Sequence, residues 1–259
     1  MNQTTVGKPG PHAGRSAIVT GSGRNIGRAI ALSLAAGGAS VVVNGHSDRA
    51  AVDAVVKEIT DAGGRALPFM ADVSKHDEVA AMVKAAADAF GSVDIVVSNV
   101  GMRRMQPFLD ISLEDWNTVL ATNLTPAFYL ARNAIPRMQA RKWGRLILIS
   151  GFDGFWGQVT HRAHNIACKA GLHGLAKALA REFGPDGITA NTVAPGAIDT
   201  VRDQSQYKHQ PKEKIVAEIP LGRFGHVNEI AAACSFLAGD GGGFTSGQVI
   251  HVNGGHYMY

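Results

Sequence analysis

Two hydrophobic periods alternate along the chain. Short apolar runs at Ser16–Thr20, Ser40–Asn44, Ala66–Met70, Ile95–Asn99, Arg145–Ser150, Thr189–Ala194 and Gln248–Asn253 read as strands. Val41-Val42-Val43 and Leu146-Ile147-Leu148-Ile149 show no polar alternation, the pattern of strands covered on both faces. Between the runs, Arg28–Ala36, Arg49–Ala62, Lys75–Phe90, Leu113–Arg141, Ala163–Phe183 and Val227–Ala238 place apolar residues at helical spacing. This alternation predicts an α/β fold: one doubly wound parallel sheet with helices on both faces. Such sheets bind ligands beyond the carboxyl ends of their strands, where the loops diverge.

A chain of 259 residues is long enough to bury one substantial core, placed here over 15–259. Residues 1–14 lack an apolar stretch and hold Gly7, Pro9, Gly10, Pro11 and Gly14, so they read as a flexible tail rather than a signal peptide. A formal charge of +4, with no basic run interleaved with aromatics, argues against nucleic acid as a partner. No apolar stretch is long enough to cross a membrane, and no membrane partner is expected. Cys168 and Cys234 stand far apart without a Cys-x-x-Cys pairing, which suits a reducing, cytoplasmic setting.

The unusual residues fall in the loops. The first strand runs into Thr20-Gly21-Ser22-Gly23-Arg24-Asn25-Ile26-Gly27, and a helix follows at once. Glycines there let the backbone approach a pyrophosphate, and the helix start offers unpaired N–H groups. The bland alternative is a plain tight turn. A Rossmann-type sheet is the reading that joins the loop to the alternation. The second strand ends at Asn44-Gly45-His46-Ser47, without the Asp or Glu that commonly meets a ribose 2′-hydroxyl. Arg24 and His46 could instead face a 2′-phosphate, which favours NADP(H) and leaves NAD(H) open.

With these elements the chain, from about Arg15 to His256, resembles the short-chain dehydrogenase/reductase family, in its 3-oxoacyl-carrier-protein reductase-like branch. Gly21 to Gly27 is similar to the family's glycine motif, with Asn25 where the middle glycine is usual. Asn tolerates left-handed backbone angles, so the loop is expected to keep its shape. Asp72-Val73 resembles the pair that holds the adenine, and Ser98-Asn99-Val100-Gly101 the family's Asn-Asn-Ala-Gly stretch. Asn123 matches the Asn that kinks a long helix and anchors a relay water. Pro195, Gly196, Ile198 and Thr200 match the segment beneath the nicotinamide. Pro220-Leu221-Gly222-Arg223 and Asn253-Gly254-Gly255 match the C-terminal signature, with Asn253 for a usual Asp. The resemblance implies a homotetramer, an oxidoreductase acting on a carbonyl/alcohol pair, and a substrate lid at about 200–220.

The catalytic positions depart from the family. Lys169 is in place, followed by Ala170-Gly171-Leu172, but the family's Tyr position is Asn165 and its Ser position is Gly151. No tyrosine in the chain stands four residues before a lysine. An amide donates hydrogen bonds but gives up no proton near neutral pH. Asn165 could polarise a substrate oxygen, and another group must then supply the proton. His164 is the favoured candidate, with an imidazole pKa near the working range; the alternative is that it packs at the helix terminus. His161 is a second candidate. Arg103, Arg104, Asp153 and Tyr207 are placed near the substrate, and basic residues in the lid segment Arg202–Lys214 suggest a small anionic substrate. No metal site is expected. Two other readings stay open: a non-redox lyase, isomerase or decarboxylase using these histidines, and a catalytically silent dinucleotide-binding protein.

Overall fold

A computed structural model of the chain describes residues 10–156, 160–201 and 211–258. Seven parallel strands form one sheet: β1 (Ser16–Val19), β2 (Ser40–Gly45), β3 (Arg65–Met70), β4 (Ile95–Ser98), β5 (Gly144–Ile149), β6 (Ile188–Pro195) and β7 (Val249–Val252). Their spatial order is β3-β2-β1-β4-β5-β6-β7. The chain winds outward to β3, then returns to start the other half at β4. That reversal leaves a crevice between β1 and β4, where the following loops part in opposite directions.

The helices are α1 (Asn25–Ala36), α2 (Arg49–Asp61), α3 (His76–Phe90), α4 (Leu113–Asn123), α5 (Thr125–Arg141), α6 (Ala163–Phe183), α7 (Lys212–Ala217) and α8 (Val227–Ala238). Strand side chains alternate between two cores. Ala17, Val19, Ile95, Val97, Ile147 and Ile149 pack with α1, α2 and α8. Ile18, Val96 and Leu146 pack on the other face with α3 and α5. Burial on both faces explains why the strand sequences show no polar stripe.

Four expectations need correction. The stretch Leu113–Arg141 is not one helix: it breaks at Leu124, whose backbone (φ −111°, ψ −52°) ends α4 and starts α5. Pro126 in the first turn of α5 lacks an N–H and disfavours helical geometry in the residue before it. The first helix begins at Asn25 rather than Arg28. Residues 211–217, expected within the lid, include the short helix α7, which carries no apolar periodicity long enough to announce it. Residues 10–14 of the expected tail are packed against the domain. The His12 ring is buried, with its Nε2 2.8 Å from Ser235 Oγ, and its backbone N–H donates to Gly37 O.

Candidate active site

A cleft of about 560 Å³ opens at the crevice. One wall is the glycine loop with Gly21, Arg24, Asn25, Ile26 and Gly27. Asn99 and Gly101 come from the end of β4, Ile149 and Ser150 from β5, and Pro195, Gly196, Ile198 and Thr200 from β6. Asn123, Lys169 and Arg103 complete it.

The glycine loop is built from beneath. Ser22 and Asn44 are buried and clamp the loop to β2: Ser22 N donates to Asn44 O at 2.8 Å, Asn44 N to Ser22 Oγ at 2.9 Å, and Gly21 N to Asn44 Oδ1 at 3.1 Å. They are braces of the loop, not cleft-lining groups as expected, because buried polar side chains are taken up by backbone partners. Gly21 (φ +60°) and Asn25 (φ +50°) both hold left-handed angles, so the Asn for Gly exchange keeps the turn. The Asn25 carboxamide also makes a reciprocal pair with Val201, Nδ2 to O and N to Oδ1, each 3.0 Å. Helix α1 then starts with no side-chain cap and no carboxylate in its first turn. Its first residues, Asn25, Ile26 and Gly27, line the cleft.

His46 and Asp72 lie beside each other, Nε2 to Oδ2 3.9 Å, but neither lines the cleft itself, and Val73 is buried in the core. Burial works against ionisation of Asp72, yet hydrogen bonds from Ser74 and the nearby His46 and Lys75 hold its carboxyl below the usual value.

Around Lys169 three elements converge. Its Nζ donates to Ile149 O at 3.1 Å, and a Cβ on Gly101 would lie 3.7 Å from Nζ and 3.1 Å from Asn123 Oδ1. Asn123 is buried, donates Nδ2 to Val119 O at 2.8 Å and accepts from Met102 N at 3.0 Å. At the helix break Ala127 N bonds Leu124 O rather than the carbonyl of Asn123. Burial lowers the Lys169 pKa to about 8; the charge of Arg103 pushes the same way, while Cys168 and Asp153 oppose. A Cβ on Gly151 would meet nothing closer than Lys169 Cγ at 3.9 Å. The Ser150 hydroxyl is engaged within the fold: it donates to Val193 O at 3.2 Å and lies 2.9 Å from His173 Nε2.

Several expected side chains are elsewhere. Asn165 is buried and does not line the cleft; Nδ2 donates to Met102 O at 2.5 Å and Oδ1 accepts from Arg104 N at 3.3 Å. His164 is fully buried, its Nδ1 accepting from Asn165 N at 3.0 Å and its Nε2 3.3 Å from Gln106 Oε1. Desolvation lowers its pKa, and it does not line the cleft. His161 is an exposed residue with φ +62°, its carbonyl accepting from Gln106 N at 2.8 Å. Arg104 pairs with Asp115, and Asp153 pairs with Arg162 at 3.5 Å, so neither reaches the cleft. Tyr207 lies outside the described residues. Sequence reasoning missed Gln106 and Asp115, which tie the loop after β4 together, Gln106 Nε2 donating to Asp115 Oδ2 at 2.9 Å. No motif marks either one.

A ligand cleft at the switch point of a doubly wound parallel sheet, walled by a glycine loop and a helix start, defines the class to which this molecule belongs. Comparison with known proteins narrows it. Residues 21–257 match the family described as enoyl-(acyl carrier protein) reductase. The 3-oxoacyl-[acyl-carrier-protein] reductase of Staphylococcus aureus is 41% identical over 94% of this chain and 98% of its own length. The corresponding Escherichia coli reductase is 38% identical over 95% and 98%. The crystal structure of a dehydrogenase/reductase from Sinorhizobium meliloti is 33% identical with a TM-score of 0.87, covering 95% of this chain and 96% of that one. The chain therefore belongs to the short-chain dehydrogenase/reductase family of oxidoreductases.

Proposed function

We propose that this protein is an NADP(H)-dependent oxidoreductase acting on a small carbonyl/alcohol pair, with an active site in which the usual Tyr and Ser positions are Asn165 and Gly151. The observation that carries the reading is Lys169, half-buried at the floor of a cleft whose other end is the open N-terminus of α1.

The residues present fit a nicotinamide dinucleotide. The N–H groups of the glycine loop and α1 would take its pyrophosphate, and Lys169 and Asn99 would face the nicotinamide half. Arg24 lines the cleft and His46 stands exposed beside Asp72, two donors that support a 2′-phosphate, and the two residues directly after β2, His46 and Ser47, carry no carboxylate. When bound, the dinucleotide supplies or accepts hydride. The protein's own part is to hold the ring against the β6 segment, exclude water and manage the proton. Lys212 and Lys214 in α7, with Arg103 at the mouth, support an anionic substrate such as an oxo acid or an oxo thioester of a phosphorylated carrier. The 3-oxoacyl-[acyl-carrier-protein] reductases among the relatives point the same way.

Neither His164 nor His161 is among the described residues that line the cleft, which favours the redox reading over the non-redox one. Titrating the protein with NADPH and NADH by nicotinamide fluorescence tests the cofactor assignment. NADPH should bind at least tenfold tighter, and Arg24→Ala should erase most of that preference. Equal affinity for both forms would count against the 2′-phosphate assignment.

A further inference from the structure

Asn25 does more than keep the turn of the glycine loop. A glycine would hold its φ of +50° equally well, but has no side chain with which to reach another segment. The Asn25 carboxamide gives Nδ2 to Val201 O and accepts from Val201 N at Oδ1, each at 3.0 Å. A carboxamide carries both a donor and an acceptor, so here it stands in for a peptide group and pairs one backbone residue in both directions.

The two ends of this clasp belong to opposite halves of the sheet. Asn25 follows β1 and Val201 follows β6, and the order β1-β4-β5-β6 sets β6 about 14 Å from β1 at the usual strand spacing. An extended segment 196–201 can span that gap. It therefore runs back past the ends of β5 and β4, whose Ile149, Ser150, Asn99 and Gly101 line the cleft. Its near end is fixed to the body: Gly196 N donates to Val252 O, Gly225 N to Ala197 O and Asp199 N to Gly225 O, each at 2.9 Å. Its far end is little packed, the Val201 side chain being 86% exposed. The segment is a strap anchored at one end and latched at the other by two hydrogen bonds within reach of water. Asn25, Thr200 and Val201 all line the cleft that it borders.

Resting on the cofactor assignment above, we propose that the Asn25–Val201 clasp gates exchange of the dinucleotide, with Asn25 as the positioning residue that latches the strap. A dinucleotide with its pyrophosphate at the glycine loop and its ring against the β6 segment lies between the two walls that the clasp joins. Entry and release then each require the strap to swing away from Asn25. Two neutral hydrogen bonds that water can replace make a light latch. It opens often, so it sets the rates of exchange without blocking them.

Asn25→Gly isolates the latch, because glycine suits the backbone angle and the urea midpoint should stay that of wild type. The first readout needs no cofactor. By amide hydrogen exchange and mass spectrometry, the peptide carrying Val201 should exchange at least about tenfold faster in Asn25→Gly than in wild type. Stopped-flow mixing, read by NADPH fluorescence, then follows both directions of binding. In Asn25→Gly the release rate should rise about thirtyfold, the factor that two such bonds carry. The entry rate should rise about threefold, because the empty cleft is latched as well. Faster release with unchanged entry would make Asn25 a simple contact of the dinucleotide and overturn the gate. Equal exchange at Val201 in the two proteins would overturn it too. A wild-type protein that binds neither dinucleotide contradicts the oxidoreductase reading instead, and the gate falls with it.

Discussion

A methyl group on Gly27 would lie 2.3 Å from Gly21 O and 2.6 Å from Asn99 Nδ2, inside any allowed contact with a backbone that cannot retreat. Gly27→Ala should therefore lower stability by about 1–3 kcal/mol and weaken dinucleotide binding together; urea unfolding and NADPH titration on one sample check both. Gly151 contrasts with it. Its backbone is extended, and an added side chain has open space toward Lys169, so Gly151→Ser should change stability by less than about 0.5 kcal/mol. The cysteines give a third residue-level expectation. Burial raises the Cys168 thiol to about 11 and pushes Cys234 up as well, so neither should react with a disulfide reagent at pH 8 until the protein unfolds. Rapid labelling of either thiol in the native protein would contradict their placement.

At the scale of elements, Asn25 joins the start of α1 to the segment after β6. Removing its two bonds to Val201 should weaken dinucleotide binding about tenfold. Asn25→Ala should also destabilise the fold by about 1 kcal/mol, because it places alanine at φ +50°, whereas Asn25→Gly should not. If both variants bind NADPH as tightly as wild type, the contact is not part of the cofactor site. The strands and most helices were legible because each is long, periodic and buried on a regular face. The glycine loop was legible because only certain residues survive its backbone angles. The break at Leu124 was announced by Pro126, yet apolar spacing runs through it unchanged. The fate of Asn165 and His164 was not legible. Their partners, Met102, Arg104 and Gln106, lie some 60 residues away and are reached mostly through backbone atoms that carry no sequence signature. The sequence puts Asn165 where the family resemblance implies a tyrosine; only packing showed that the neighbouring His164 is buried and does not line the cleft.

For the whole molecule, burial leaves several imidazoles reluctant to charge. His173 is lowered to about 4 by burial and nearby His251, Lys177 and Lys169, and desolvation also lowers His12, His164 and His251. Their folded values lie below the unfolded value of about 6.5, so the unfolded chain binds more protons in that window. Stability should fall as pH drops from about 6.5 to about 4, with His173 contributing on the order of 2 kcal/mol after solvent screening. Urea midpoints measured between pH 7.5 and 5 check this, and a flat profile would contradict it. Leu109 (92% exposed) and Leu113 (84%), with Phe108 and Phe128, are exposed large apolar side chains, as the homotetramer that the family resemblance implies would need at its interfaces. Light scattering should show four chains, and Leu113→Glu with Phe128→Glu a smaller assembly.

The central claim is that a cleft without the usual tyrosine still performs hydride chemistry. The direct measurement is a single turnover with NADPH deuterated at the transferable position, mixed with a panel of oxo acids, oxo thioesters and cyclic ketones and read by mass spectrometry. The account predicts one deuterium on the carbinol carbon of at least one product, in step with cofactor oxidation. Stoichiometric NADPH binding with no deuterium transferred to any of these carbonyls would contradict it.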